Sequence, residues 1–257
     1  MVKLFLAELK REWILRKRYA VETLSLAVAF IIVFYGLFQS ARYMAGPGVQ
    51  LGERLDSIIV GYVLWSLSLF ILVDIAGGLQ QEAQTGTLEQ VFLSPFGAPQ
   101  IFVTRAVANL MLQLILSLSI LLVIMAMTGS SLSFPPTLLL PFLTVLLGSY
   151  GLALAIASLA LLLKRVQQVL ELFQFLLCFL LMVPTENWVG SAWFLGWLLP
   201  MAPGAGLLRE VMARGQPLDL VQFFTALLNG CAYFGLGLFL FHLAEREAKQ
   251  RGNLGGY

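Results

Sequence analysis

Runs of about twenty apolar residues with few or no charges recur along this chain, each long enough to cross a hydrocarbon core of roughly 30 Å as a helix. Only 12% of the residues are charged and the mean hydropathy is +0.87, whereas soluble domains are roughly a quarter charged. The runs lack the period-2 alternation of a transmembrane barrel, so helices must satisfy the backbone inside the lipid. The sequence therefore predicts an all-α membrane protein.

Hydropathy divides the chain into six predicted transmembrane helices within a single domain, residues 1–257. The fifth is short for a full crossing, since about 17 residues is the usual lower limit, and the third and fourth are long enough to need tilt. The predicted spans are residues 20–40, 58–79, 101–127, 137–163, 169–183 and 220–243.

The positions of the basic residues predict the orientation. All but four of the sixteen Lys and Arg residues fall on the side of the two termini, with Arg105, close to the start of the third span, counted on that side. The positive-inside rule then puts both termini in the cytoplasm of a cell that carries the protein in its inner or plasma membrane. The connection between the second and third spans, residues 80–97, is cytoplasmic as well. The four exceptions are Arg42, Arg54, Arg209 and Arg214.

The N-terminal segment, residues 1–19, has the pattern of an amphipathic helix. Phe5, Leu9 and Trp13 recur at four-residue spacing, while lysines repeat every seven residues on another face. This pattern favours a helix that lies in the membrane interface with its cationic side toward anionic headgroups. The alternative is a solvated basic tail.

The loop before the last span, residues 184–217, is moderately apolar and rich in Trp, Gly and Pro. Its helical pieces are too short to cross a membrane, and Trp188, Trp193 and Trp197 have the amphipathic rings that favour the interface. We expect a re-entrant hairpin of two short helices, broken near residues 200–206, that dips into the outer leaflet. An ordinary external loop packed on the protein is the alternative.

Motifs for nucleotide hydrolysis or hydrolytic catalysis are missing from the sequence. There is no G-x-x-x-x-G-K-[ST] phosphate loop, no H-E-x-x-H zinc helix and no G-x-S-x-G nucleophile elbow. The only histidine, His242, ends the last span. We expect no metal site and no catalytic residue, and a net charge of +2 is too small to argue for a nucleic-acid partner.

Several polar side chains fall inside the predicted spans, where a charge costs several kcal/mol and usually faces a partner or water. Asp74 has no obvious local partner and is the best candidate for a contact between spans or subunits. Four amides could line a passage or simply join neighbouring helices by hydrogen bonds. These are Asn109, Gln113, Gln174 and Asn229.

The stretch QEAQTGTLEQVFLSP, residues 81–95, interrupts the apolar pattern after the second span. Read as a helix, it places Glu82 and Glu89 on one face, while Leu88, Val91 and Phe92 form an apolar side. Such a helix could lie along the membrane and present an acidic rim to a soluble partner, or it could merely close the bundle on that side.

The pattern E-x-x-x-G-T-L-E-x-x-x-x-S-P in this stretch strongly resembles the cytoplasmic signature of the type 2 ABC transporter permeases. The run from Pro200 to Glu210 is similar to the family's entry into a re-entrant helix. The resemblance implies a permease that dimerises, with itself or a related permease. It would dock two separate ATP-binding subunits onto a coupling helix at residues 80–97 and the interfacial helix at residues 1–19. ATP and magnesium would then belong to the partner subunit, with no cofactor on this chain. By their match to the family's motif, the residues expected to contact the ATP-binding subunit are Glu82, Gly86, Thr87, Leu88 and Glu89.

The resemblance implies an exporter subunit, and a path with few charges suits an amphiphilic cargo such as a drug, a lipid or a lipid-linked glycan. The sequence is also compatible with two other functions. One is an intramembrane enzyme that acts on a lipid or peptide, with Asp74 or Glu171 as acid or base. The other is a membrane anchor that recruits an ATPase without transporting anything.

Overall fold

The computed structural model describes residues 2–45, 52–80, 98–162, 167–188 and 191–250, and no β-strand occurs in these ranges. The predicted all-α class is therefore confirmed. Most of the predicted coupling helix, residues 81–97, lies outside the described residues. The five residues expected to contact the ATP-binding subunit also lie outside the described residues: Glu82, Gly86, Thr87, Leu88 and Glu89.

Nine α-helices make up the described parts of the chain. The third continues beyond its last residue through a π-helical turn, Val73–Gly77, and single 3₁₀ turns precede the fifth and seventh helices. The α-helices are α1 (Val2–Arg18), α2 (Ala20–Ala45), α3 (Gly52–Leu72), α4 (Ala98–Thr128), α5 (Leu139–Leu162), α6 (Gln167–Met182), α7 (Ser191–Leu198), α8 (Ala202–Met212) and α9 (Leu220–Gln250).

Five of the described helical stretches are long and apolar enough to cross a membrane. The helix α6 corresponds to the predicted fifth span but has only 16 residues, so the count of six spans stays a prediction. The five stretches are Ala20–Ser40, Arg54–Gln80, Thr104–Thr128, Pro136–Leu161 and Leu220–Glu247.

Helix α3 lies at the centre of the bundle. About 72% of its most apolar window is buried inside the protein, against 11% for α2. Aromatic rings join these two helices: the Phe30 and Trp65 ring centroids are 5.4 Å apart, and the Tyr62 hydroxyl donates to the Phe30 carbonyl at 2.7 Å. The Trp65 indole N–H also donates to the Gln174 carbonyl of α6 at 3.0 Å. Buried aromatics thus fix α3 between α2 and α6.

Helices α5 and α9 run in the same direction and pack closely because glycines face the contact. A Cβ atom added to Gly230 would lie 2.6 Å from the Thr144 carbonyl oxygen, and one added to Gly237 would overlap the backbone of Gly151. Small residues allow such close backbone approach between helices in lipid, where van der Waals packing drives association. The two helices therefore form one tightly packed pair.

The helix predicted for residues 1–19 is present as α1, which packs against α4. Phe5 and Leu9 are half-buried, whereas Trp13 is 60% exposed, so the three do not share one buried stripe. The exposed Trp13 is available to lipid headgroups, although the location of α1 at the membrane interface stays a prediction.

Candidate functional site

Asp74 and Asn109 form a direct contact between α3 and α4. The Asn109 side-chain nitrogen donates to the two Asp74 carboxylate oxygens at 2.7 and 2.9 Å, and Asn109 is buried. Asp74 lies in the π-helical turn, a feature that is rare in proteins and often found at functional sites. Of the predicted polar residues, these are the two that the structure brings together.

Helix α1 approaches this contact with several charged side chains. Glu8 Oε2 lies 3.1 Å from Arg11 Nη1 and 3.8 Å from Arg105 Nε of α4. Burial lowers the pKa of Arg16, while the nearby carboxylates of Asp74 and Glu12 act in the opposite direction. A cation of α1 is therefore within electrostatic reach of the carboxylate of α3.

We refer to these side chains as the three-helix polar cluster, because they come from α1, from the π-helical turn after α3, and from α4. The cluster lies toward the ends of α3 and α4 that connect through residues 81–97. Any force on that connection acts next to the cluster. Its members are Glu8, Glu12, Arg16, Asp74, Arg105 and Asn109.

Farther along the bundle, the turn between α7 and α8 inserts among the spans. Met201, 1% exposed, adopts a left-handed backbone conformation with φ of 63°. Its sulfur lies 2.9 Å from the Ser149 hydroxyl oxygen and 3.7 Å from that of Ser68, and the two hydroxyl oxygens are 2.9 Å apart. Ser68 and Ser149 lie near the middle of the stretches Arg54–Gln80 and Pro136–Leu161, so the turn reaches the middle of these two candidate spans.

Asn229 of α9 holds this turn in place. Its side-chain oxygen accepts from the Met201 backbone N–H at 3.2 Å, and its nitrogen donates to the Trp197 and Leu199 carbonyls at 2.9 and 3.2 Å. The Tyr233 hydroxyl donates to the Leu198 carbonyl at 2.6 Å. Asn229 thus satisfies backbone groups of the turn and joins α9 to it, as amides between neighbouring helices often do.

Gln113 and Gln174, the other two predicted amides, occupy separate places. The Gln113 side chain is buried and its nitrogen donates to the Phe70 carbonyl at 3.3 Å, which joins α4 to α3. Gln174 contributes its main-chain carbonyl to Trp65, as described above. The predicted polar residues are therefore distributed between several helix contacts within the described protein, and a role in lining a passage stays a prediction.

A buried ion pair attaches α8 to the residues around the end of α6. It was not predicted from the sequence. Arg209 is 1% exposed; its Nη1 lies 2.6 Å from Glu186 Oε2, and its Nη2 donates to the Leu181 carbonyl and, at 3.3 Å, to that of Val183. Arg214 Nη2 lies 3.5 Å from the other Glu186 oxygen. The only sequence signal was a Glu and two Arg residues in an apolar loop, with no spacing that pairs them.

Residues 3–213 match the protein family described as ABC-2 type transporter. The matched residues include α1, the connection between α3 and α4, and the helices up to α8. The chain belongs to the ABC-2 type transporter family. The resemblance seen in the sequence is thereby confirmed, and none of the curated proteins compared matches the chain.

This ABC-2 permease is therefore a multi-pass membrane protein and a component of a transporter. Permeases of the family pair with an ATP-binding subunit and are not themselves the ATPase. Among the described residues, the three-helix polar cluster, the inserted turn and the ion pair of Arg209 with Glu186 are polar regions within the bundle.

Proposed function

We propose that this permease is the membrane-spanning subunit of an ATP-driven exporter. It dimerises, with a second copy or a related permease, and works with separate ATP-binding subunits that carry ATP and magnesium. The observation that supports this most is the family match over residues 3–213. The positive-inside distribution supports cytoplasmic termini in an inner or plasma membrane.

The three-helix polar cluster gives the proposal a mechanical route. The proposed coupling helix, residues 80–97, lies between the second span and α4, and the ion pair of Glu8 with Arg105 ties α1 to α4 next to it. Binding of ATP that favours a closed pair of ATP-binding subunits would push on this connection. The helices α1, α3 and α4 then shift together as a rigid body and open a path between the two permeases.

The hairpin of α7 and α8 is proposed to be re-entrant from the external side. Its turn at Met201 contacts Ser68 and Ser149, near the middle of two candidate spans, and its far end at Arg209 is tied to the residues after α6. In the proposed orientation this end faces outward, so the hairpin separates the cytoplasmic side from the outside.

Few charged side chains lie within the candidate spans. Each span contains an 18-residue window with at most two Asp, Glu, Lys or Arg residues. A strongly polar cargo would lose its hydration along such surfaces without compensation. We therefore propose an amphiphilic cargo, such as a drug, a lipid or a lipid-linked glycan, that is moved out of the cytoplasm.

Co-purification with the cognate ATP-binding subunit tests the docking part of the proposal. Glu89→Lys, within the proposed coupling helix, is expected to abolish co-purification and stimulated ATP hydrolysis because it reverses a charge of the acidic rim. Glu171→Lys, at an exposed carboxylate near the start of α6, is the matched control and should leave both intact. Full binding and coupled hydrolysis by Glu89→Lys would contradict the docking proposal.

Reconstitution in vesicles separates the proposal from its alternatives. A fluorescent amphiphile should accumulate across the membrane only with ATP and both subunits present. Turnover of a lipid or peptide by the isolated permease without ATP would favour an intramembrane enzyme that uses Asp74 or Glu171. ATPase stimulation without any movement of cargo would favour a membrane anchor.

A further inference from the structure

A groove with a volume of about 770 Å³ lies between α5, α6 and α9, toward the C-terminal ends of α5 and α9. This volume is within the range of about 300–1,000 Å³ that is usual for ligand sites. The groove is separate from the three-helix polar cluster and from the Met201 turn, and none of its lining residues takes part in either. We call it the α5–α6–α9 groove.

The walls of the groove are apolar. Ile156 and Leu159 of α5, Phe173 of α6, and Leu240 and Leu243 of α9 contribute side chains to it. The lining extends over about two turns of α5, from Leu152 to Leu159, or roughly 10 Å, which accommodates a segment of a hydrocarbon chain lying along the helix.

The rim of the groove is polar and includes the cationic side chain of Arg246. Arg246, Glu247 and Gln250 lie there, one and two turns beyond the apolar wall. Arg246 is exposed and makes no ion pair or hydrogen bond with another described residue, whereas Glu247 already has an interaction within the protein. The rim therefore offers a positive charge to an anionic group that sits next to the apolar walls.

We propose that the α5–α6–α9 groove binds a phospholipid of the leaflet on the side of the termini, with an acyl chain on the apolar walls and an anionic headgroup at Arg246. Apolar walls with a basic rim at a membrane boundary match the two halves of such a lipid. The proposal relies on the proposed orientation only to name the leaflet as cytoplasmic. It requires neither an ATP-binding subunit nor transport.

Photochemical labelling in nanodiscs tests this site. The full chain is placed in bilayers that contain a small fraction of phosphatidylglycerol with a diazirine on its acyl chain, or the corresponding phosphatidylcholine. Labelled positions are mapped by mass spectrometry. We expect labelling to concentrate at Phe173, Leu240 and Leu243, with the anionic lipid favoured about fivefold.

Two pairs of variants separate the groove from the general lipid surface. Arg246→Gln should remove the preference for phosphatidylglycerol, while Arg18→Gln, at an exposed cation on the same side, should keep it. Leu243→Trp should fill the groove and suppress labelling at Phe173. Leu238→Trp is its control, because Leu238 is 45% exposed on the same helix, against 47% for Leu243, and does not line the groove.

Three results would overturn the proposal. They are even labelling along all exposed faces of α9, equal labelling of Phe173 in the two tryptophan variants, or crosslinks that show the groove filled by another segment of this chain or a second copy. The labelling uses the permease alone, without ATP or an ATP-binding subunit, so its outcome does not depend on subunit docking or on transport of a cargo. Failure of the proposed function would leave the labelling pattern unchanged.

Discussion

The Asn109 side-chain amide bridges both carboxylate oxygens of Asp74, at 2.7 and 2.9 Å, and so joins α4 to the π-helical turn that follows α3. No charged residue is close to Asp74 in the sequence on α3. The carboxylate instead interacts with Asn109 and Arg105 of α4 and with Arg16 of α1, so we expect the three helices to be energetically coupled at this end.

Replacing Asn109 by Leu should destabilise the permease. The change leaves Asp74 without its amide donor, and an unsatisfied buried polar group costs about 1–3 kcal/mol, or more if charged. Asp74→Asn should cost less, since an amide oxygen still accepts from Asn109. Thermal unfolding in detergent measures both. Ser119→Ala is the control on α4, because that exposed hydroxyl donates only within its own helix; equal melting of all three variants and the wild type would refute the coupling.

Glu8→Gln should loosen α1 from α4 with little loss of overall stability. Its partners Arg11 and Arg105 are partly exposed, and such pairs contribute about 1 kcal/mol or less. We expect faster modification of a cysteine placed at the half-buried Leu9 position, measured with a thiol reagent. Lys10→Gln, at an exposed neighbour, should not change the rate. An unchanged rate in Glu8→Gln would show that the ion pairs do not hold α1.

Arg209→Met should destabilise the protein strongly, because it leaves the Glu186 carboxylate in a largely buried site with less compensation. Breaking one side of a buried ion pair costs about 3–5 kcal/mol. The double variant Arg209→Met with Glu186→Met should recover part of this loss, as measured by thermal unfolding. Arg214→Gln, at a more exposed position, is the control and should cost little. If the double variant lost as much stability as the two single variants together, the result would argue against an energetic coupling of Arg209 and Glu186.

Gly230→Ala should weaken the contact between α5 and α9. Its Cβ would lie 2.6 Å from the Thr144 carbonyl oxygen, so the helices must separate. Gly235→Ala on the same helix has nothing within 4 Å of the added atom and should be neutral or slightly stabilising, since Ala favours helix over Gly by about 1 kcal/mol. Melting temperatures that shift equally in the two variants would contradict this packing.

Hydropathy was sufficient to locate the helices, because spanning a membrane requires long uniform apolar runs. The predicted second span, residues 58–79, lies within the observed stretch Arg54–Gln80, and the short fifth span appears as the 16-residue α6. The helical N-terminal segment followed from periodicity, although the exposure of Trp13 did not.

Pairings between distant residues could not be predicted. Asp74 was recognised as a residue in need of a partner, yet nothing in the sequence selects Asn109, which lies 35 positions away on another helix. Glu186 and Arg209 are 23 positions apart across two turns, and their meeting depends on the hairpin path. The π-helical turn likewise has no local sequence signal, since its residues would also fit a regular helix.

The hydrogen bonds of Asn229 impose an order on the assembly of the protein. The turn at Met201 has one backbone N–H and two carbonyls that are satisfied by this single side chain of α9, which follows the turn in the chain and is therefore synthesised after it. Without it, those groups would be left unpaired among apolar spans at a cost of several kcal/mol. We therefore expect the hairpin to complete its insertion only after α9 has been synthesised, so that a single asparagine of a later helix decides when the buried turn is stable.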